Sequence, residues 1–492
     1  MNTINEVKAR MSDPSLLVES CKVGNRWISA SKDHGMPVEN PATGEIITSV
    51  PVLDASHASE AISAASEAFL SWRKVPAKQR SEILMRWYQL MIDNVDDLAI
   101  ILTAEQGKPI SEAKAEIKFT ASFFEWYAAE GRRAYGSVVP SPDIDKRFFV
   151  LRQPVGVTAV VTPWNFPAGM IGRKVAPALA AGCTVVIKPA SQTPLTAMAL
   201  VNLAEKAGVP DGVVNILTGR ASEIGGVLLA SPSVAKLTFT GSTGVGKHLN
   251  QQAAHTLKHV SLELGGNAPF IVFADADVDA AVKGAIQAKF RNAGQTCVCA
   301  NRIIVEEPIY EEFVSRFAMA VSQLKVGSGF EDGVEIGPLI DQRAVNSVSA
   351  MLDDAVSRGG TVVTPGYQVP NLGSFFSPVV IKNVPLDSRV CTEEIFGPIA
   401  PVIKFNGEAE AIDIANMGDE GLAAYFYTND VSRVWRVAEA IDCGLIGVNT
   451  GLMTTAETPF GGMKSSGLGR EGGKEGLDAF LETKSVCIGS IE

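Results

Sequence analysis

A cysteine at position 297 ends a segment in which Arg291 precedes a Gly-Gln-Thr turn. A thiol at such a turn can act as a nucleophile when other groups activate it. An isolated cysteine is more often a small buried apolar residue. Cys297 is therefore a candidate nucleophile that needs partners from elsewhere in the chain.

Glu263, which lies between two leucines and precedes two glycines, is a candidate partner. Apolar surroundings raise the pKa of a carboxyl group, and the glycines let its side chain change position, which suits a general base. The alternating pattern is also typical of a strand that carries a surface glutamate. Spacing alone slightly favours this second interpretation.

The glycine-rich segment 241–247 follows a predicted strand and opens a predicted helix. Its backbone amides could hold a pyrophosphate at the helix N-terminus. The segment differs from a Walker A loop because His248 stands where that motif has the Ser or Thr that binds magnesium, and it is not the G-x-G-x-x-G dinucleotide fingerprint either. It indicates a nucleotide site weakly and argues against a P-loop NTPase.

The candidate residues must be held in place by a common scaffold, and the sequence pattern indicates a sheet. The chain alternates apolar β-branched runs with helical segments over residues 157–239 and again over 269–324. Continuous apolar strands separated by helices predict two α/β domains built on parallel sheets. Ligands of such sheets bind at the carboxyl ends of the strands. The loops 162–167 and 188–194 should therefore line one crevice together with the Gly241 loop.

Five further segments lie outside these two repeats. Residues 61–72, 81–94 and 112–127 have helical spacing and are expected to pack onto the first domain. Residues 147–151 and 484–488 are strand-like. Exposed strands of this kind commonly pair between subunits, so we expect an oligomerisation element here.

The composition limits the class of protein. A length of 492 residues suits two or three domains, and 43 Lys+Arg against 54 Asp+Glu give a formal net charge of −11, which makes nucleic acid a poor partner. Seven scattered cysteines favour a reducing compartment. The N-terminus lacks a targeting pattern, and the most apolar window, 175–187, is shorter than a bilayer span. We expect a cytoplasmic protein without a membrane partner.

Seven motifs in order along nearly the whole chain resemble those of the aldehyde dehydrogenase superfamily. They are Pro-Trp-Asn-Phe-Pro at 163–167, Lys-Pro-Ala at 188–190, Phe-Thr-Gly-Ser at 239–242, Leu-Glu-Leu-Gly-Gly at 262–266, Gly-Gln-Thr-Cys at 294–297, Glu-Glu-Ile-Phe-Gly-Pro at 393–398 and Pro-Phe-Gly-Gly at 459–462. The resemblance implies an α/β fold with two parallel-sheet domains and a small β oligomerisation element, forming a homodimer or homotetramer. The implied parts are a Rossmann-like cofactor domain (1–130 and 152–262), a catalytic domain (263–470) and the oligomerisation element (131–151 and 471–492).

The resemblance also implies a mechanism. Cys297 as a thiolate attacks the aldehyde carbon, and the Asn165 amide together with the backbone N–H of Cys297 holds the oxyanion. Glu263 then deprotonates the water that hydrolyses the thioester, and relatives that pass the acyl group to coenzyme A lack this glutamate. No metal is needed.

The implied cofactor is NADP or NAD, and its expected contacts come from the strand-end loops. They are Trp164, Asn165, Lys188, Ser191, Gly241, Ser242, Leu264, Glu394 and Phe396. Relatives that use NAD strictly tend to carry an acidic residue at the position of Ser191, which would repel a 2′-phosphate. We therefore expect NADP to be preferred or accepted.

Arg173 and Arg291 match the positions at which the succinate-semialdehyde dehydrogenase branch holds the substrate carboxylate, and Thr454 aligns with a third anchor that is often Ser. Succinate semialdehyde is the first expectation, with glutarate semialdehyde and sulfolactaldehyde as alternatives. A reversible disulfide between Cys297 and Cys299 is a further hypothesis, with a buried spectator thiol about as good an interpretation. A non-catalytic structural or binding protein on this fold is the alternative from a different class.

Overall fold

The computed structural model describes residues 3–31, 35–366 and 369–491. The first part of the chain, up to residue 130, forms short strands and a group of helices. These elements are α1 Thr3–Ala9, β1 Ser20–Val23, β2 Arg26–Ser29, β3 Gly35–Glu39, β4 Ile46–Pro51, α2 Ala55–Trp72, α3 Ala77–Asp93, α4 Val95–Gln106 and α5 Ile110–Glu130. The three helical segments expected from the sequence are parts of α2, α3 and α5, and α5 packs against α3 and the first helix of the next region.

The next region alternates strands and helices, as its apolar runs predicted. Its elements are β5 Ser137–Val139, β6 Arg147–Pro154, β7 Val157–Val161, α6 Gly169–Ala181, β8 Thr184–Lys188, α7 Leu195–Lys206, β9 Val214–Ile216, α8 Ala221–Ala230, β10 Val234–Thr240, α9 Thr243–Ala254 and β11 His259–Glu263. All five residues of β8 are buried, as expected for a strand covered on both faces.

A second α/β region follows. Its elements are β12 Ala268–Val272, α10 Val278–Phe290, β13 Ala300–Glu306, α11 Tyr310–Val321, α12 Gln342–Ser357, β14 Thr361–Val362, β15 Val379–Lys382, α13 Arg389–Thr392, β16 Ile399–Phe405, α14 Gly407–Ala415, β17 Glu420–Gly421, β18 Ala423–Tyr427, α15 Val431–Ala440 and β19 Leu445–Val448. The chain then adds β20 Met463–Lys464, β21 Gly467–Leu468, α16 Gly473–Asp478 and β22 Leu481–Ile488. The sequence analysis predicted β12 and β13 but not the later strands of this region.

Two large sheets carry the architecture. The first has the order β21-β11-β10-β7-β8-β9, and the second has the order β14-β15-β16-β13-β12-β18-β19. Each is parallel except at one edge, where β21 and β14 run antiparallel to their neighbours. The predicted α/β class with two parallel-sheet regions is confirmed.

The register of the first sheet brings its candidate residues to one edge. Val161 at the end of β7 lies opposite Lys188 at the end of β8. Thr240 at the end of β10 lies opposite Glu263 at the end of β11. The loops that follow these strands therefore open on the same side of the sheet, as the sequence predicted.

The small antiparallel sheet has the order β22-β6-β5. The two strand-like segments pair with each other, from Leu481 opposite Pro154 to Ile488 opposite Arg147. β22 and β5 remain the edge strands of this sheet, and the expected pairing between subunits stays a prediction.

The two large sheets have separate apolar cores. One contains residues from Ile4 to Leu264 together with three later residues, and the other contains residues from Ala268 to Phe460. We propose that these cores correspond to the two large domains; the boundaries given above stay a prediction. Within the described ranges no helix is long and apolar enough to cross a bilayer.

Candidate active site

The residues before Cys297 form a strained turn at the end of α10. Asn292, Ala293 and Gly294 have φ values of 52°, 55° and 77°, all in the left-handed region. This conformation costs roughly 1–2 kcal/mol for each residue that has a Cβ. The fully buried Gln295 offsets part of that cost, since its Oε1 accepts from Ile340 N at 2.9 Å and its Nε2 donates to the Asn292 carbonyl at 3.1 Å.

Cys297 lies where two cavities meet, each of about 240 Å³. We call the first the arginine cavity because Arg173 and Arg291 line it, with Thr454 and Phe460. We call the second the strand-end cavity because it lies at the carboxyl ends of β10 and β11. It is lined by Pro163, Trp164, Asn165, Met170, Thr240, Gly241, Ser242, Leu264, Gly265, Cys297, Glu394 and Phe396. The thiol can therefore face a ligand on either side.

The arginine cavity presents two cations. Arg173 is 3% exposed, its Nε lies 3.9 Å from Glu471 Oε2, and its guanidinium lies 3.8 Å from the centre of the Phe460 ring. Arg291 has no hydrogen bond or ion pair with any residue that the structure describes, and its guanidinium lies 5.3 Å from the Phe166 ring centre. An unpaired guanidinium beside aromatic walls suits a short aliphatic ligand that ends in an anion.

Glu263 is buried, which corrects the preference for a surface glutamate drawn from spacing alone. It is 1% exposed, and neither carboxylate oxygen has a hydrogen-bond partner within the described chain. The side chain is covered by a segment from later in the chain, where a Cβ at Gly461 would lie 2.9 Å from Glu263 Oε1. Burial raises the pKa of Glu263 well above its usual range, and Glu471 raises it further, whereas Lys174, Arg173 and Arg470 oppose the rise.

The Cys297 thiol is protonated at neutral pH without a ligand. Burial raises its pKa to about 12, and the charges of Arg173 and Arg291 oppose this rise while Glu394 and Glu263 add to it. A neutral thiol becomes a strong nucleophile only when a base removes its proton. Glu263 is a carboxylate near enough to influence the thiol electrostatically, and its own raised pKa suits it to accept that proton.

Asn165 sits beside this thiol at the wall of the strand-end cavity. It is 4% exposed, and its Nδ2 donates to the Gln295 carbonyl at 3.0 Å. An amide nitrogen carries two hydrogens, so one donor remains for a ligand. Asn165 and Cys297 line the same cavity, as an oxyanion site would require.

The other face of the strand-end cavity is built by glycines and a carboxylate. Glu394 Oε1 accepts from Gly266 N at 3.2 Å, and burial raises the Glu394 pKa to about 7. A Cβ at Gly266 would lie 2.6 Å from the Cys297 carbonyl, so only glycine permits this close approach. The rings of Trp164 and Phe396 meet edge to face at 5.4 Å on the cavity wall.

A third cavity, of about 380 Å³, continues along the first sheet and contains Lys188 and Ser191. Lys188 is 5% exposed, and its Nζ donates to the Pro189 carbonyl at 2.9 Å. Burial lowers its pKa to about 8, and no carboxylate in the described part of the chain pairs with it. A buried cation without a counter-ion indicates an anionic ligand. Together with the strand-end cavity, these residues fit a nicotinamide dinucleotide.

Cys299 lines neither the arginine cavity nor the strand-end cavity. Its Sγ donates to the Lys289 carbonyl at 3.3 Å, and burial raises its pKa. Both thiols are free in this structure. The disulfide between Cys297 and Cys299 stays a prediction. Within the described ranges, no group of three or more His, Cys, Asp or Glu side chains could hold a metal ion.

The sequence analysis missed three charged residues of the arginine cavity, Lys108, Glu112 and Glu116. Lys108 lies in a turn between two helices, and the two glutamates are four residues apart on α5. Charges in such positions are usually solvated, so no local signal could have singled them out.

The chain was compared with known proteins. The profile of the aldehyde dehydrogenase family matches residues 27–486. The glutarate-semialdehyde dehydrogenase of Pseudomonas aeruginosa is 52% identical over 98% of this chain and 100% of its own, and the NADP(+) succinate-semialdehyde dehydrogenase of Escherichia coli is 51% identical over 98% and 100%. The crystal structure of an aldehyde dehydrogenase from Brucella melitensis has a TM-score of 0.96 at 52% identity, covering 98% of this chain and 99% of that one. The chain belongs to the aldehyde dehydrogenase family, whose members oxidise aldehydes to carboxylic acids with NAD or NADP.

Proposed function

We propose that this chain oxidises a short aldehyde with an anionic tail to the corresponding acid, with Cys297 as nucleophile. The observation that carries the proposal is the place of Cys297 in the walls of two cavities, one of which contains the Arg291 guanidinium and the other of which lies at the strand ends. The aldehyde tail would occupy the first cavity and the cofactor the second. Membership of an enzyme family and the presence of Cys297, Glu263 and Asn165 in one place favour an enzyme over a non-catalytic protein.

The chain's own groups perform each proton and acyl step. Glu263 takes the thiol proton and passes it to solvent, and the Cys297 sulfur adds to the aldehyde carbon, whose oxygen is held by the free Asn165 N–H and the backbone N–H of Cys297. A nicotinamide bound in the strand-end cavity would supply the hydride acceptor for oxidation of this adduct to the thioester. Glu263 then removes a proton from the water that attacks the thioester on Cys297, which releases the acid and restores the thiol.

The tail of the substrate is the finer part of the proposal. Arg173 and Arg291 supply the charge, and Thr454 adds a hydroxyl to the same cavity. Succinate semialdehyde fits this set first, while glutarate semialdehyde and the sulfonate of sulfolactaldehyde are alternatives, since each pairs an aldehyde with an anion a few atoms away. The named activities of the two relatives above differ by one methylene at nearly equal identity, so identity does not decide between them.

Replacing Arg291 with alanine should raise KM for succinate semialdehyde by about 10- to 100-fold, because a charge-assisted hydrogen bond contributes roughly 1.5–3 kcal/mol. Within the described residues the guanidinium makes no hydrogen bond or ion pair, so its loss removes the contact with the Phe166 ring but leaves no hydrogen-bond partner unsatisfied, and the fold should persist. Initial rates with succinate semialdehyde and with the neutral aldehyde butanal would measure this. The KM for butanal should change less than about threefold, and equal losses for both aldehydes would contradict the assignment.

We propose NADP as the preferred or accepted cofactor because Ser191 offers a hydroxyl, rather than a carboxylate, in the cavity of the buried Lys188. The variant Ser191→Glu should lower kcat/KM for NADP relative to NAD by at least about tenfold, about 1.4 kcal/mol, since a carboxylate repels a 2′-phosphate. The neutral variant Ser191→Ala should change this ratio only a few-fold. A native enzyme that already prefers NAD tenfold would refute the proposal.

We further propose a cytoplasmic homodimer or homotetramer that uses the sheet β22-β6-β5 as its contact. Several apolar side chains of this sheet are exposed, among them Val138 at 68%, Ile488 at 47% and Leu151 at 43%. Burial of such side chains against a second copy would stabilise the oligomer.

A further inference from the structure

Lys108 is a buried lysine whose contacts lead to the candidate oxyanion site. It is 2% exposed and lies between α4 and α5, in the wall of the arginine cavity. Its Nζ donates to Glu116 Oε2 at 2.5 Å and to the Asn165 carbonyl oxygen at 2.9 Å. The ammonium also lies 4.1 Å from the centre of the Phe166 ring, a cation–π distance. Two of its three N–H donors are therefore committed to the protein.

Glu116 binds the far end of the loop 165–169, which begins at Asn165. Its Oε1 accepts from the backbone N–H groups of Ala168 at 3.0 Å and Gly169 at 3.1 Å. Gly169 begins α6, the helix that carries Arg173. The Lys108–Glu116 pair thus fixes residues 165–169 at both ends, so the Asn165 amide cannot move independently of α6.

A second donor converges on the same carbonyl from the Cys297 turn. Asn292 Nδ2 donates to the Asn165 carbonyl at 3.0 Å, and the backbone N–H of Asn292 donates to Glu112 Oε2 at 2.9 Å. The Asn165 loop and the left-handed turn before Cys297 therefore meet at one carbonyl oxygen. Lys108 Nζ and Asn292 Nδ2 both donate to this oxygen, so both donors help to fix the position of the Asn165 amide relative to the Cys297 thiol.

The cost of this arrangement argues for a role beyond folding. A buried ion pair is often no more stabilising than apolar side chains of the same volume, because both charges lose their hydration. Burial lowers the pKa of Lys108 even though Glu116 and Glu112 oppose the shift. An apolar residue at position 108 would fill the space, but it could not donate to the Asn165 carbonyl.

We propose that Lys108, paired with Glu116, is a positioning residue that aims the Asn165 amide at the oxygen of the Cys297-bound intermediate. The inference rests on the proposed function, in which Asn165 stabilises that oxygen. Lys108 lies in the wall of the arginine cavity, but Glu116 and the Asn165 carbonyl engage two of its three N–H donors, so we expect its main effect on the reaction to pass through Asn165.

The first test is the variant Lys108→Met assayed by hydrolysis of p-nitrophenyl acetate, a neutral activated ester that requires the thiol and oxyanion site but no nicotinamide. We expect kcat to fall about 10- to 100-fold with KM nearly unchanged, somewhat less than the loss of a whole oxyanion donor. Oxidation of succinate semialdehyde and of butanal should fall by similar factors. Lys108→Arg should recover part of the loss, since a guanidinium can still donate to the carbonyl.

Lys236→Met is the matched control for removal of a buried lysine. Lys236 is also 2% exposed and donates to Ser261 Oγ at 2.6 Å, but it lines none of the three cavities. It should lower the melting temperature without a selective fall in kcat. If Lys108→Met does not fold, Glu116→Gln serves instead, because it weakens the pair while keeping a hydrogen-bonding side chain.

A double-mutant cycle separates positioning from other roles. If Lys108 acts through Asn165, the double variant with Asn165→Ala should be no slower than Asn165→Ala alone, within about twofold. Multiplied losses would overturn the inference, as would a rise in KM confined to acidic aldehydes, which would make Lys108 a substrate anchor. An Asn165→Ala enzyme with full activity would instead refute the oxyanion role in the proposed function.

Discussion

Replacing Cys297 with alanine is expected to reduce aldehyde oxidation by at least about 10³-fold, because the covalent route then has no nucleophile. The side chain is small and lies between two cavities, so its loss should leave the fold intact. Formation of reduced nicotinamide from succinate semialdehyde would measure the rate, and a melting curve would check the fold.

Cys299→Ala is the matched control, since it removes a thiol two residues away that lines neither cavity. We expect its rate to stay within about threefold of the native enzyme. Loss of activity in Cys299→Ala with retention in Cys297→Ala would contradict the assignment of the nucleophile. The two variants together also separate the chemistry of Cys297 from a packing effect of the turn.

The parts of the site that the sequence predicted share one physical property. Strands β7 and β8 are continuous apolar runs, which have a simple interpretation as buried parallel strands. The loops that follow parallel strands open on one side of the sheet, so the sequence alone predicted that Lys188 and the 162–167 loop lie at the same edge. Local pattern was sufficient there because a strand that is covered on both faces is apolar at nearly every position and can be identified without knowing which face is buried.

Glu263 shows where local pattern fails. Its strand alternates, and an alternating strand exposes one face unless another element covers it. The segment that lies over the carboxylate comes from much later in the chain, where a Cβ at Gly461 would lie 2.9 Å from Glu263 Oε1. Gly461 belongs to no helix or strand that a local pattern could identify, so the burial that gives this carboxyl its raised pKa could not be foreseen from spacing.

Lys108 and Glu116 show a second kind of failure. Both are ionisable residues at or near the ends of helices, where charge usually faces water. Their burial arises because α5 packs against α6, which brings a glutamate on one helix to the first turn of the other. Tertiary packing brings the two residues of this pair together, and no pattern in the neighbouring residues of the sequence predicts it.

The variant Glu263→Gln is expected to separate the two halves of the reaction. Glutamine cannot take a proton from water, so the steady-state rate should fall by about 10²- to 10⁴-fold, the usual contribution of a general base. The thioester would still form, more slowly, because solvent must then take the thiol proton that Glu263 accepts in the native enzyme. Rapid mixing with succinate semialdehyde should show a burst of about one reduced nicotinamide per active chain and then almost no turnover.

The pH dependence of the steady-state rate tests the same role of Glu263. A base acts in its deprotonated form, and the pKa of Glu263 is raised by burial and by Glu471, so the native steady-state rate should increase as pH rises through that pKa. The increase should be absent in Glu263→Gln. The positive charges of Lys174, Arg173 and Arg470 oppose the rise in the Glu263 pKa. The midpoint of the pH profile therefore depends on all of these charged groups together and not on Glu263 alone.

Glu105→Gln supplies the matched control for loss of a buried carboxyl. Glu105 is fully buried with a pKa raised to about 8 by burial, but it accepts from the backbone of Leu195 and Thr196 at the start of α7, away from Cys297. Its variant should be less stable yet keep the native ratio of burst to steady-state rate and the native pH profile. If Glu105→Gln alters that profile and Glu263→Gln does not, the hydrolytic base lies elsewhere. Full turnover without a burst in Glu263→Gln would lead to the same conclusion, because water would then attack the thioester without help from this carboxylate.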